Sequence, residues 1–424
     1  MGIERFHGLL GIVLLIGVAW LLSEHRRKAS IRLILGGVAM QFAVGLILLE
    51  VPGVNSAFEW LTNQFVVVLG FGGEGAKFVF GNLADPGGGA WGPVFFFIVT
   101  SVIVFFSSLM AIGYYLGITQ RVIAALAFVL RRTLGMTGLE ALAAAANVFV
   151  GQTEAPLVIK PYVPLLTRSQ LFLVMVSGFA TIAGSVFALI VSFAAGTDTA
   201  QQAELAKHLL TASLISAPGA YVIAKTMLPE TEETPNELNL EIYQEDEQPG
   251  NLLDAAARGA SEGMKLALNV AAMLIAFVAL IALVNWPIGG IGQLFGRDDL
   301  SLGTILGWVF SPVAWAMGIE SGDVLDISST LGTSVVATEL VAYERLGNLA
   351  SPAEGEPIIS ERSRTIAAYA LCGFANLPSV GIQVGGLSFM APERRAEIAG
   401  LGIKAMFAGA MTCWMTACVA SVIV

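Results

Sequence analysis

Charge is what this chain has least of. Of 424 residues only 13% are Asp, Glu, Lys or Arg, about half the share in a soluble domain. That excludes a water-soluble globule. The net charge is −10, with 22 basic against 32 acidic side chains, and no basic stripe exists that could hold phosphates, so no nucleic acid is expected as a partner. Histidine is nearly missing. His7, His25 and His208 sit at the ends of apolar segments, which leaves a hydrolase without its usual base or zinc ligands. The chain is not read as an enzyme. Cysteine is equally sparse. Cys372, Cys413 and Cys418 stand in apolar runs without ligand spacing and read as packing residues rather than a metal site or disulfide.

Apolar length is what the chain does have. Hydrophobic residues make up 56% and the mean hydropathy is +0.77. Several runs of about 20 residues are almost free of charge, which suits helices crossing a hydrocarbon core about 30 Å thick. The 47 glycines fit close approach between membrane helices. The class is an all-α polytopic membrane protein in a lipid bilayer.

The spans can be placed in order. His7–Ser23 is the first, and the basic cluster Arg26, Arg27, Lys28 and Arg32 after it marks the cytoplasmic side. A cleaved signal would be followed by small residues instead. Ile31–Leu49 returns outward. Pro52–Phe80 reads as an amphipathic helix on the outer surface, and DPGGG at 85–89 as a loop. Trp91–Leu116 crosses inward, and 118–135, with Arg121, Arg131 and Arg132, reads as a cytoplasmic interfacial helix. Gly138–Leu166 is apolar but broken by GQTEAP, so it reads as a re-entrant hairpin of two half-length helices. Leu171–Ala195 goes out and Leu209–Leu228 comes back. Pro229–Glu247 holds eight carboxylates and reads as a solvated cytoplasmic loop. Met264–Val284 goes out. Leu302–Met317 is a second interfacial stretch, and Asp326–Tyr343, with Glu339 inside it, a second half-length segment. Thr365–Phe389 spans inward and Ile398–Val424 exits. The total is about eight transmembrane helices plus two re-entrant hairpins, with both termini outside the cell (inner) membrane.

The halves repeat. GFATIAGSV at 178–186 and GFANLPSV at 373–380 share the frame GFA…SV, and each follows a broken polar hairpin. The two hairpins open to opposite sides, so the repeat is inverted. Inverted repeats with interrupted helices are the organisation of secondary transporters. Backbone polar groups cannot stay unpaired in lipid, so unwound backbone occurs only where protein, water, ion or substrate pairs it. Thr181–Gly184 and Asn376–Pro378 are the expected unwound points.

Glu154 and Glu339 lie at the hairpin tips. A carboxylate at membrane depth costs roughly 2.5–3.5 kcal/mol, and no Lys or Arg is near in sequence to offset it. Donors on a ligand, a bound cation, or protonation remain. Two carboxylates repel an anion and, as acceptors only, suit a donor-rich neutral molecule such as a sugar with vicinal hydroxyls. Gln152 can both donate and accept, which suits the edge of a base or amide, and Phe179 or Phe374 offers a ring face. A dicarboxylate or amino-acid carrier would want a cation at the tips. A channel would need a continuous polar stripe, and none is visible.

At GQTEAPLVIKPY (151–162), CGFANLPSVGIQVGG (372–386) and the EL-V-AY pattern from Glu339, the chain resembles the concentrative nucleoside transporter family in its short bacterial form. The resemblance runs over most of the chain from the third span onward. It implies a homotrimer and a transport region moving elevator-fashion against a scaffold. It also implies sodium-coupled symport of nucleosides such as uridine or adenosine, with proton coupling or another neutral polyhydroxyl solute as the alternative. By that resemblance Gln152, Thr153 and Glu154 hold the nucleobase, with Val186 and Phe374 packing on it. Glu339, Asn376 and Ser379 hold the ribose hydroxyls. Sodium takes carbonyls of Asn147, Val150 and Ile182 and the hydroxyl of Thr181. The expected division is scaffold helices over 1–117, a first transport half over 118–228, an acidic loop over 229–261, a scaffold span over 262–300 and a second transport half over 301–424.

Overall fold

The computed structural model describes residues 4–84, 94–152, 154–195, 198–234, 249–297, 300–352 and 356–424. Thr153, the DPGGG run, Trp91 and most of the acidic segment (235–248) lie outside them. Every regular element among the described residues is a helix.

Helix α1 (Glu4–Leu21) and α2 (Ile31–Glu50) are joined by a basic 3-10 turn, Arg26–Lys28. α3 (Pro52–Phe80) starts on a proline, where the missing N–H is no loss. Its buried residues Phe58, Thr62, Val66, Leu69, Gly72 and Ala76 recur every three or four positions. This is the single stripe of a one-sided helix. α4 (Phe95–Tyr115) follows, then α5 (Ile118–Leu134), buried only along Ile123, Ala127 and Leu130. α6 (Gly138–Asn147) is the ingoing arm of the first hairpin. α7 (Arg168–Phe179) and α8 (Gly184–Ala194) form one broken span, and α9 (Thr199–Met227) returns. α10 (Leu252–Leu294) is the longest helix. It begins ten residues inside the stretch expected to be loop, capped by the Asn251 side chain on Asp254 N. α11 (Leu302–Ala316) leads to the second hairpin, α12 (Val324–Val336) and α13 (Glu339–Ala350). α14 (Glu361–Ala370) and α15 (Leu377–Met390) form the second broken span, and α16 (Arg395–Ile423) ends the chain.

Seven of the described helical stretches are long and apolar enough to cross a membrane, and α3 is among them. α1 and the α14–α15 pair fall below that continuous length. Counting these two as spans and α3 as the expected surface helix gives eight crossings.

Three local expectations differ. The outgoing arm of the first hairpin, Ala155–Leu165, is 3-10 rather than α-helical. Pro156, Pro161 and Pro164 remove the donors an α-helix needs. The second break runs over residues 371–376, earlier than expected, because Pro378 sits in the first turn of α15, where it is tolerated. α9 starts ten residues before Leu209, so His208 is buried inside it, with Nδ1 3.1 Å from the Tyr369 hydroxyl.

Glycine sets which helices pack most closely. A methyl at Gly263 on α10 would stand 2.8 Å from Val104 Cα and 3.0 Å from the Ile103 carbonyl oxygen. One at Gly259 would stand 2.6 Å from the Ser107 carbonyl oxygen. α4 and α10 therefore meet backbone to backbone through a Gly-x-x-x-Gly face. α1 and α2 are laced elsewhere. Gly11 lies against Cys418 of α16 and Gly37 against Val222 of α9. The buried Gln41 amide donates to the Ile215 carbonyl at 3.0 Å. Between α1 and α2, Glu24 N donates to the Met227 carbonyl (3.1 Å), and its carboxylate binds Lys404 (2.8 Å) and Arg168 (3.0 Å). The first two helices are thus packed on the body that carries the broken helices, although the sequence grouped them with the scaffold.

The root of the acidic segment is anchored and half-buried at Glu230, while residues 231–234 are exposed. Lys225, buried at the end of α9, binds Glu140 of α6, Ser169 Oγ of α7 (2.8 Å) and Glu230 (3.4 Å). Glu230 also accepts from Thr167 Oγ1 at 2.8 Å. The cation that draws it in, Lys225, lies upstream in α9, outside the acidic segment itself. Burial alone would raise the Glu230 carboxyl. The Thr167 hydroxyl, backbone amides and Lys225 outweigh it and hold the group below its ordinary range. Glu24 behaves likewise: burial raises it, and Lys404 and Arg168 more than compensate. A depressed carboxylate adds stability above its unfolded pKa and loses it as pH falls through the folded value.

Two outcomes follow for purified protein. Thermal stability should be flat from pH 7 down to the ordinary carboxylate value of 4.5 as far as these two anchors are concerned, and fall only below it. Loss already near pH 6 would contradict the assignment. Gly263→Leu should destabilise by roughly 1–3 kcal/mol through overpacking, read as a lower melting temperature. Gly381→Ala, where a methyl meets nothing within 4 Å, should stay within about 0.5 kcal/mol of the parent.

Candidate functional site

The first hairpin tip is built by glycine and one carboxylate. α6 ends at Asn147, and the amides of Val148, Phe149 and Val150 fold back on the carbonyls of Ala145 and Ala146. Glu154 N and Ala155 N both donate to the Gly151 carbonyl, at 3.0 and 2.9 Å. Gly151 N reaches Glu154 Oε2 at 3.4 Å. The turn therefore uses Glu154 as its own cap, yet the residue remains exposed. Thr153 is outside the described residues.

The tip rests on the first break. Gly184 N donates to the Phe149 carbonyl at 3.1 Å, and Gly151 abuts Ala183. Thr181 Oγ1 donates to the Ser177 carbonyl (3.0 Å), one of the carbonyls freed where α7 ends. The Gly184–Phe149 bond joins the segments bearing Asn147, Val150, Thr181 and Ile182, all buried. Asn147 Nδ2 donates to the Ala143 carbonyl at 3.0 Å, while its Oδ1 accepts nothing among the described residues. The C-terminal ends of α6 and α7 converge here, and both carry partial negative charge.

The second tip has different chemistry. α12 ends at Val336, and α13 starts on Glu339 itself, so the carboxylate sits at a helix N-terminus, where it is favoured. Glu339 is buried, and its Oε2 accepts from Asn376 Nδ2 at 2.7 Å. Asn376 Oδ1 in turn accepts from Ser379 N at 2.9 Å and caps α15. One asparagine thus closes the second break and partners a carboxylate that pairs with no cation among the described residues. Ser379 is buried beside it and Phe374 is half-buried in the break. Val186 is buried in the first turn of α8.

The two breaks cross. A methyl at Gly373 would stand 2.5 Å from the Phe179 carbonyl oxygen, and Gly409 of α16 lies against the Phe179 side chain. The Cys413 thiol reaches the carbonyls of Cys372 (3.4 Å) and Ala180 (3.7 Å), one from each break. Cys413 is therefore a donor to freed backbone as well as a packing residue. Gln152 leans over Gly178, which also contacts the Gln383 amide of α15. α15 thus touches both halves: its start holds Glu339 through Asn376, and its next turn reaches the first tip. Glu154 is not brought to the Glu339–Asn376 pair by any contact among the described residues. Gln383, Gly178, Gly373 and Cys413 were missed from sequence. Gln383 carried a signal, since it is an amide within an apolar span.

Three family models match the chain. They are described as Na+ dependent nucleoside transporter N-terminus, over 10–83, Nucleoside recognition, over 96–197, and Na+ dependent nucleoside transporter C-terminus, over 208–421. An uncharacterized transporter of Haemophilus influenzae is 42% identical over 417 residues, covering 98% of this chain and 97% of that one. Solute carrier family 28 member 3 of Eptatretus stoutii is 40% identical, covering 97% of this chain but only 60% of its own length. Among solved structures, CNTnw in an inward-facing substrate-bound state superposes with a TM-score of 0.90 at 42% identity, covering 99% of this chain and 97% of that one. A substituted form of CNTnw in an outward-facing state gives 0.92 at 42% identity, covering 99% and 98%.

The Asn376–Glu339 pair yields a charge-swap test. Asn376→Asp keeps the cap on α15 but sets two carboxylates against each other. A hydrogen bond to a charged group is worth roughly 1.5–3 kcal/mol, so nucleoside binding should fall by more than about tenfold. Adding Glu339→Gln restores one donor and one acceptor, and titration calorimetry should show part of the loss recovered. Equal or worse binding in the double variant would refute the pairing.

Proposed function

The chain belongs to the Na+-dependent nucleoside transporter family and carries nucleosides by sodium-coupled, elevator-like alternating access, and from that premise we propose that both passengers are held between the two hairpin tips and the crossing breaks. Gln152, Thr153 and Glu154 take the base, with Val186 and Phe374 against it. Glu339, Asn376 and Ser379 take the ribose.

The observation that carries this reading is Glu339. It is buried, and among the described residues its side-chain partner is a neutral amide, that of Asn376. A carboxylate has about four lone-pair sites, and a pair of vicinal hydroxyls supplies donors for those that remain. Glu154, exposed at the other tip, further disfavours an anionic solute.

Sodium is a travelling partner here rather than a resident cofactor. The first tip fits it: Asn147 Oδ1 is a buried acceptor still free among the described residues. The Thr181 hydroxyl and the carbonyls of Asn147, Val150 and Ile182 complete an all-oxygen set. Unwound carbonyls beside half-helix C-termini are where such carriers coordinate sodium.

The moving body is read from packing. α1 and α2 are laced to α9 and α16, so they ride with the hairpins and broken spans, while α3, α4 and α10 stay as scaffold. Uptake is directed into the cytoplasm, the basic Arg26–Lys28 face lies inside, both termini lie outside the inner membrane, and the working assembly is a homotrimer. Uridine and adenosine are the nucleosides to try first.

With one sodium per neutral nucleoside, each cycle moves one positive charge inward, driven by about 2.3 kcal/mol per 100 mV. Uptake into proteoliposomes should accelerate with inside-negative potential, and choline should not replace sodium. Thr181→Ala should raise the sodium concentration for half-maximal uptake several-fold, while nucleoside affinity at saturating sodium changes less. Equal uptake on a proton gradient without sodium would remove the ion assignment and leave the nucleoside site standing.

A further inference from the structure

Gln383 is fully buried on α15, four residues beyond Ser379. Its Nε2 donates to the Met175 carbonyl of α7 at 2.9 Å. Its Oε1 accepts nothing among the described residues. Gln152, buried at the first hairpin tip, shares this condition: its Oε1 is unpaired as well. The two side chains flank one glycine. A methyl at Gly178 would stand 2.5 Å from Gln383 Nε2 and 3.0 Å from Gln152 Cβ.

The orientation of Gln383 is set by its donor. Turning the amide over would point its oxygen at the Met175 carbonyl, two acceptors face to face. Its free acceptor is therefore committed to its own side of Gly178. A carboxamide oxygen buried without a donor is costly, and the Gln152 side chain has donors only on Nε2. We infer that Gln383 is a positioning residue for base recognition. Its Oε1 takes an N–H of Gln152 and so turns Gln152 Oε1 toward the base as an acceptor. The site then selects bases that offer an N–H on that edge, either a ring imide N–H or an exocyclic amine, and rejects bases in which that nitrogen is alkylated. This rests on the reading that Gln152 faces the base.

The test compares uridine, 3-methyluridine and 2′-deoxyuridine as competitors of labelled uridine uptake into proteoliposomes under an inward sodium gradient. Four proteins are compared: wild type, Gln383→Met, Gln383→Glu and Gln152→Ala. Gln383→Met keeps the shape and removes the amide. It should shrink the preference for uridine over 3-methyluridine about fivefold to tenfold, as expected for one neutral hydrogen bond. Its preference for uridine over 2′-deoxyuridine should stay within about twofold. Gln383→Glu, as the protonated carboxyl, donates to the Met175 carbonyl with its O–H and still offers Gln152 an acceptor, so it should retain most of the base preference, a rescue that packing alone does not give. If Gln383→Met shifts base and ribose preferences together, or shifts neither, the inference is overturned. If Gln383→Met does not reach the membrane, loss of base preference in Gln383→Glu overturns it equally. Gln152→Ala separates the two levels. Unchanged base preference there removes the site reading itself, whereas loss there with no effect at Gln383 removes only the positioning role.

Discussion

Everything in this molecule depends on how it pairs backbone groups that helix breaks set free. In hydrocarbon an N–H or C=O without a partner costs several kcal/mol. The two hairpin tips and two broken spans all expose half-helix ends, each with groups lacking intrahelical partners. The structure meets the demand by making the interruptions satisfy one another. The Phe149 carbonyl at the first tip takes the Gly184 amide that opens α8. Asn376 caps α15 with its oxygen and serves the second tip with its nitrogen. Cys413 spans the carbonyls of both breaks from a third helix. Gly373 and Gly178 are small because neighbouring groups occupy the space of a side chain there.

Charge follows the same economy. Glu339, paired with no cation among the described residues, is stabilised by a helix N-terminus and an amide. Glu154 keeps access to solvent. The one deeply buried ammonium among the described residues, Lys225, is placed away from both tips, among Glu140, Ser169 and Glu230. There it ties α6, α7 and α9 into one block and roots the acidic segment on that block. A buried ion pair is weak evidence for net stability, but breaking one is strongly destabilising. The cluster therefore opposes separation of hairpin and broken span, which suits a carrier body that moves as a unit.

Much of this was legible in the sequence because membrane physics writes in long runs. Apolar length, the GFA…SV repeat and the Gln-Thr-Glu tip placed most spans, hairpins and breaks to within a few residues, although α9 and α10 begin ten or more residues before the expected Leu209 and Met264. Three kinds of feature stayed hidden. Pairings between distant residues leave no local trace. Lys225 with Glu230 and Glu24 with Lys404 were unreadable for that reason, and a solvated loop was expected where Glu230 is anchored. Helix ends set by caps also slipped: the rule that a proline marks a break fails for Pro378, which opens a helix instead. The glycine contacts of α1 with α16 and of α2 with α9 are likewise unreadable locally, and chain order suggests a different grouping. The candidate residues at the tips are visible in the sequence as polar groups out of place. Gln383 had the same mark and was passed over because it lies in a span rather than at a turn.

Coupling can be read from which parts the two passengers share. Under the proposed assignment, sodium binds oxygens of the first tip and the first break, the two segments already linked through Phe149 and Gly184. An ion there pulls the C-terminal ends of α6 and α7 together and fixes the backbone that carries Gln152. The base binds that same backbone. The ribose is held on the second tip and α15, which sodium does not touch. Ion binding should therefore act on the base half of the site, by reducing the freedom the tip loses when nucleoside arrives. Preorganisation of this kind produces positive cooperativity without any contact between ion and substrate, and linkage makes it reciprocal. α15 supplies the remaining condition. It meets the first tip through Gln383 and Gly178 and the second through Asn376, so a ligand that engages base and ribose together spans both repeats and locks the hairpins to one helix. A ligand engaging only one half leaves the other tip unsecured, and the body that must cross the membrane is then incomplete.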